Sequence, residues 1–164
     1  MWFRRKPKPD PADAVRALRE QALGVDAAAL GLVASPARAH VWGVLMETRY
    51  PEAVVTLVTF ADGTTSLYFS NGGGVIGAGE HAPVRAAADA LLSAAEDHLA
   101  GFTPADATPM PELGRVRFYV RTFGGTLGAE AEERALGEHR HPLAPVFHAG
   151  HALIAAVRQA TEGR

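Results

Sequence analysis

Ala53-Val54-Val55-Thr56-Leu57-Val58-Thr59-Phe60-Ala61, then Asp62-Gly63, then Thr64-Thr65-Ser66-Leu67-Tyr68-Phe69-Ser70: two runs rich in β-branched and aromatic residues flank a single Asp-Gly. That dipeptide is the strongest short-range signal for a two-residue hairpin turn, because both central positions favour residues that tolerate positive φ. A hairpin makes the sheet antiparallel, and an antiparallel sheet with helices elsewhere in the chain is an α+β domain rather than a doubly wound one. Working back from the hairpin, Tyr50-Pro51 turns the chain. His40 to Thr48 forms a further strand, rich in Val, Trp, Leu and Met, that alternates poorly and suits burial on both faces.

The remaining elements are read from capping and period. Asp10-Pro11 is an N-cap followed by proline at the first helical position, and Val15, Leu18, Ala22 and Leu23 then repeat with helical spacing until Gly24. Asp26 can cap a short second helix over Ala27–Leu32, broken at Ser35-Pro36. Pro83 opens a helix whose stripe is Val84, Ala87, Ala88, Leu91, Leu92, Ala95 and Leu99, ended by Gly101. Phe102 to Gly114, with Pro104, Pro109 and Pro111, reads as an irregular connector. A second hairpin joins Arg115–Phe123 to Thr126–Ala131 through Gly124-Gly125, and Pro145 starts the last helix. The expected fold is therefore α+β with a mainly antiparallel five-stranded sheet, covered by three main helices in the order α-βββ-α-ββ-α. Residues 10–164 form one domain behind a basic flexible tail, residues 1–9.

Composition narrows the function. The 164 residues are 48% hydrophobic and 21% charged, enough for a folded core burying roughly 70% of the unfolded surface. A net charge of −2 argues against bulk attraction to nucleic acid. With no cysteine there is no disulfide, thiolate metal site, Fe–S cluster or cysteine nucleophile. No apolar run reaches the roughly 18 residues a membrane helix needs. The segment Met1–Pro9 holds Arg4, Arg5, Lys6 and Lys8 and no acid, but Pro7, Pro9, Asp10 and Pro11 replace the apolar stretch of a signal peptide. A cytoplasmic location is expected. With Trp2 and Phe3 the tail supports at most marginal, reversible contact with an anionic surface, at roughly 1 kcal/mol per cation.

The stretch Val41-Trp42-Gly43-Val44-Leu45-Met46-Glu47, followed by Thr64 to Gly77, resembles a bacterial protein family without an assigned activity. The resemblance covers roughly residues 40–160, and Ser70-Asn71-Gly72-Gly73-Gly74 is its most specific piece. It carries no family function. The element order is also similar to that of profilin-like and roadblock modules, small regulators of GTPases and motors with a five-stranded sheet. The chain departs from the roadblock order by placing a third strand before the middle helix. This architectural resemblance implies partner binding and no site residues.

Candidate chemistry is sparse. Gly72-Gly73-Gly74-Val75-Ile76-Gly77 fits the G-x-G-x-x-G string, but a hairpin strand precedes it and the next helix starts only near Pro83, so it is not a dinucleotide fingerprint. No Lys-Ser or Lys-Thr follows to make a P-loop. The glycines are either a strand-to-helix connection that needs positive φ, or a loop whose backbone N–H groups face a ligand or partner. His139, His141, His148 and His151 are four of the seven histidines, with Glu138 beside them, and could hold an ion such as Zn²⁺. However, His151 lies about 40° around the helix from Phe147, and His148 about 100° away, so their faces diverge. Ser35, Ser66, Ser70 and Ser93 lack a nucleophile elbow. Glu47, in an otherwise apolar strand, must be paired or shifted in pKa, and Arg49 on the same strand face, about 7 Å away, is the plainest partner. Arg117, Tyr119 and Arg121 alternate on one face that a helix or a second subunit covers.

These readings lead to a protein-interaction or regulatory module, homodimeric through an open sheet edge, acting by surface recognition of a protein partner. Its binding residues are Asn71, Gly72, Gly73, Gly74, Glu80 and His81; no catalytic residue, metal ligand or cofactor is assigned, and no nucleic acid or stable membrane association is expected. The alternative is a small-molecule or metal-binding protein, with enzymes included, whose site is the Gly72–His81 segment or the His139–His151 cluster.

Overall fold

A computed structural model describes residues 10–162 of the chain; the expected basic tail, residues 1–9, lies outside them. Asp10 caps helix α1 (Pro11–Gly24), its side chain accepting from Ala12 N at 3.0 Å, and proline occupies the first turn. Strands β1 (Val41–Arg49), β2 (Val54–Phe60) and β3 (Thr65–Phe69) follow as an antiparallel meander. A two-residue strand β4 (Gly74–Val75) pairs with β3 and leads to helix α2 (Ala82–Asp97). A second two-residue strand, β5 (Thr103–Pro104), precedes the hairpin β6 (Arg115–Thr122) and β7 (Gly125–Glu132). A short helix α3 (Glu133–Gly137) and the long α4 (Ala144–Glu162) complete the chain. Among the described residues no helix is long and apolar enough to cross a membrane.

The architecture is α+β with one antiparallel sheet, and the expected strand count is corrected. The sheet has seven strands in the order β4-β3-β2-β1-β6-β7-β5. The two additions lie in the glycine-rich segment and in the proline-rich connector, where pairing is made by main chain and leaves no side-chain period to read. A fourth helix, α3, lies in the polar stretch before α4, and the proposed Ala27–Leu32 helix shortens to a 3-10 turn at Ala28–Leu30. Both sheet edges are two residues long, and one carries Pro104. Strand β5 covers only Leu127 and Gly128 of β7, so Ala129–Glu132 have no strand on their outer side.

Strand β1 explains its own poor alternation. Val41 pairs with Thr122 and Gly43 with Arg121, so the register shifts across Trp42 in a β-bulge. Before the bulge Val41 faces the same side as Val44 and Met46; after it Trp42 shares a side with Leu45. A bulge reverses the parity of a strand, which hides a period of two. Gly43 sits at the bulge because a Cβ there would lie 2.6 Å from the Phe60 ring, which leans on Trp42 with centroids 5.4 Å apart.

The sheet divides the core into two layers. On one side α2 and α4 pack on Val44, Met46, Leu57, Val116, Phe118 and Val120. On the other, α1 covers a smaller cluster of Trp42, Leu45, Val58, Phe60, Tyr68 and Tyr119. Arg117, Tyr119 and Arg121 belong to this second side. Arg121 Nη1 donates to Ala22 O at 2.8 Å and Nη2 to Val25 O at 2.7 Å, closing the C-terminal end of α1, while its guanidinium lies 4.6 Å from the Trp42 ring centroid. Tyr119 is fully buried and donates to Pro109 O at 2.6 Å, tying the 105–113 segment over the sheet.

Candidate functional site

The α1 side of the sheet carries a row of polar residues in register: Tyr68 opposite Thr56, Thr56 opposite Glu47, Glu47 opposite Arg117, and Arg117 opposite Glu130. Glu47, at its centre, is 0% exposed. Arg19 of α1 reaches down to it, Nε donating to Oε2 at 2.8 Å and Nη2 to Oε1 at 2.7 Å; Thr56 Oγ1 adds a third bond to Oε2 at 2.6 Å. Arg19 Nη2 also donates to Thr108 O at 2.8 Å. Burial opposes the charge on Arg19, but its hydrogen bonds and attraction to Glu47 outweigh that and hold its pKa above the ordinary arginine value. The predicted Glu47–Arg49 pairing is corrected: Arg49 lies at the strand end, and its Nε donates to Pro111 O. Glu47 has all its bonds met inside the fold, so it anchors α1 rather than offering a free acid or base.

Beside this anchor, α1 and β2–β3 leave a groove of about 260 Å³. Val58, Phe60 and Tyr68 form its floor, Leu18 and Leu30 its wall, and Ile76, 67% exposed, its lip. Gln21, Thr64 and Ser66 supply polar groups at the rim. Burial raises the Tyr68 pKa, partly offset by Ser66, so the phenol stays protonated through the neutral range.

The six predicted binding residues are not gathered into one site. Asn71 and Gly72 line a hollow with Tyr50, Val55 and Phe69, whereas Glu80 and His81 line a smaller one with Ala160 and Thr161. Packing accounts for much of the glycine content. A Cβ on Gly72 would meet Pro11 Cβ at 2.6 Å, one on Gly74 would run into Leu67 O, and one on Gly79 into Gly63 O. Gly73, at φ 92°, alone of the three consecutive glycines faces open space. Glu80 Oε1 lies 3.6 Å from His81 Nε2, and Arg85 Nη1 folds back on Glu80 O at 2.6 Å.

Three of the four histidines gather around Phe147 but do not converge as a ligand set, and His141 turns away. His139 stacks on His148 with centroids 4.2 Å apart, His151 lies against Phe147, and His141 Nδ1 accepts from Leu143 N at 3.0 Å. Among the described residues no three His, Asp or Glu side chains are placed to hold a metal ion. Sequence reasoning missed the groove, whose lining comes from α1, a 3-10 turn, two strands with the turn between them, and Ile76. It found Glu47 from its apolar neighbours, but no local signal names a partner 28 residues away. Compared with known protein families, curated proteins and solved structures, the chain matches none.

Proposed function

We propose that the chain is a protein-interaction module that recognises its partner at the groove between α1 and β3, under the lip formed by Ile76. The observation that carries this reading is a large aliphatic side chain, two-thirds exposed, beside an apolar hollow with a polar rim. An interface of this kind has an apolar centre for an anchoring side chain and a polar margin that excludes water around it. At about 260 Å³ the groove falls below the roughly 300–1,000 Å³ of typical small-molecule sites. Its size suits one apolar side chain of a protein segment lying across it. The full engagement of Glu47 by Arg19 and Thr56 favours recognition over bond chemistry.

A photo-crosslinking residue placed at Ile76, and in a separate protein at the exposed Arg158 of α4, tests this in cells. A discrete adduct from position 76, absent from position 158 and abolished by Leu30→Glu in a protein that melts as the parent does, is expected. Equal adducts from both positions, or none from position 76, would overturn the reading.

A further inference from the structure

At the corner where α3 meets the start of α4, three imidazoles crowd together. Nε2 of His148 and Nε2 of His151 are each buried and have no hydrogen-bond partner among the described residues. A neutral imidazole tolerates this, because it has only one N–H to place and its other nitrogen is a modest acceptor. An imidazolium has two N–H groups and a charge to satisfy. His139 covers His148 face to face, rings 16° from parallel, and is held at φ 58°, the one non-glycine residue with positive φ among those described. Phe147 presents its ring to both His148 and His151.

We propose that this corner is an acid-released latch: a proton on His148 or His151 drives α3 and the 138–143 segment away from α4. The charged groups around it leave the proton poorly compensated. On α4, His148 disfavours a charge on His151. From α3, Glu133 is the carboxylate that favours a charged His151, but it already accepts from Tyr50 OH at 3.0 Å. Glu138 is taken by Arg134 and Arg140 at the surface, and His141 is turned to the Leu143 amide. From α2, apolar side chains such as Leu91 and Leu92 enter the shared core, and His98 turns back on Ala94 O at 2.7 Å. Glu80 and His81 meet α4 only at its far end, beside Ala160 and Thr161. Burial, reinforced by His148 and opposed by Glu133, lowers the His151 pKa below its ordinary value of 6.5. A base with a depressed pKa stabilises the fold above its unfolded value, and that stability is lost as pH falls below 6.5. The strained backbone at His139 gains by release, since its left-handed geometry is disfavoured for any residue with a Cβ.

Amide hydrogen exchange of the full chain, followed from pH 7.5 to 5.5 and corrected for intrinsic rates, reads the latch directly. Exchange in segment 133–143 should rise at least about tenfold while the amides of β1 and β6 stay constant. His148→Gln with His151→Gln should remove that rise. Should the double variant not fold, the histidine titration of the wild-type protein, followed by NMR, decides instead. An His151 midpoint below 6.5 that coincides with the onset of exchange supports the latch. A wild-type corner that exchanges no faster at pH 5.5, a double variant that keeps the full rise, or an His151 midpoint at or above 6.5 would overturn it.

Discussion

Arg19 and Glu47 meet through two hydrogen bonds, Nε to Oε2 and Nη2 to Oε1, and this contact fastens α1 to the central strand of the sheet. Few other contacts hold that helix. It buries only Val15, Arg19 and Ala22, while Arg121 caps its last carbonyls.

Breaking one side of the pair should therefore be severe. Glu47→Leu leaves Arg19 with an uncompensated charge, and Arg19→Met strands the carboxylate; each should destabilise by about 3–5 kcal/mol. The double variant Arg19→Met with Glu47→Leu should lose less than either single one, since only the neutral Thr56 hydroxyl and Thr108 carbonyl, each worth about 1 kcal/mol, are left without their partners. Urea unfolding of the four proteins gives the coupling energy. Losses that simply add would show that the two charges do not stabilise each other.

The glycines of the β4 region divide into those required by packing and those required by φ. Gly79→Ala drives a methyl into the Gly63 carbonyl at the Asp62-Gly63 turn and should destabilise by more than about 2 kcal/mol, as overpacked sites do. Gly73→Ala meets no atom and carries only the strain of its positive φ, about 1–2 kcal/mol. Thermal melts rank the two. The opposite order would mean that the β4 turn moves freely against the hairpin.

Tyr50 reports the α3 corner at high pH. Burial, aided by its bond to Glu133, pushes its pKa from 10.0 up to about 12. Because the folded chain holds this proton more tightly than the unfolded one, the associated stability is complete below pH 10.0 and is lost as pH rises toward about 12. The loss should be about 2 kcal/mol after allowance for partial exposure to solvent. The difference in tyrosinate absorbance between wild type and Tyr50→Phe gives the midpoint. Glu133→Gln should lower it but leave it above 10, since burial is the larger cause. A wild-type midpoint at 10 would refute the assignment.

What the sequence made legible follows from where each signal resides. The β2–β3 hairpin and the Asp10-Pro11 start of α1 are encoded within a few residues and appear as read, whereas α2 ends at Asp97, capped by His98, short of the expected Gly101, which closes a separate 3-10 turn. Strands β4 and β5 could not be read, because each is two residues of main-chain pairing held by distant neighbours. The bulge at Trp42 concealed the period of β1 while leaving its burial plain. At the candidate site, Glu47 stood out as a carboxylate among apolar residues. Its partner did not, because proximity of α1 to β1 is a property of the packed layers. Arg49, close in sequence, points instead to Pro111 O. The groove has no signature at all; it is space left between elements.

The two outer helices meet the sheet at the same edge. Helix α1 starts with Pro11 against Gly72, and α4 ends with Ala160 and Thr161 beside Val75–His81, on either side of strand β4. The described chain thus begins and ends at neighbouring points. Its connectivity is close to a loop, and the order of elements is partly a matter of where that loop is cut. Joining residues 10 and 162 through a short flexible linker and reopening the chain at Gly124 would yield a permuted protein with the same sheet. For the same reason the whole unit could be spliced into a surface turn of another protein without pulling the host's backbone apart.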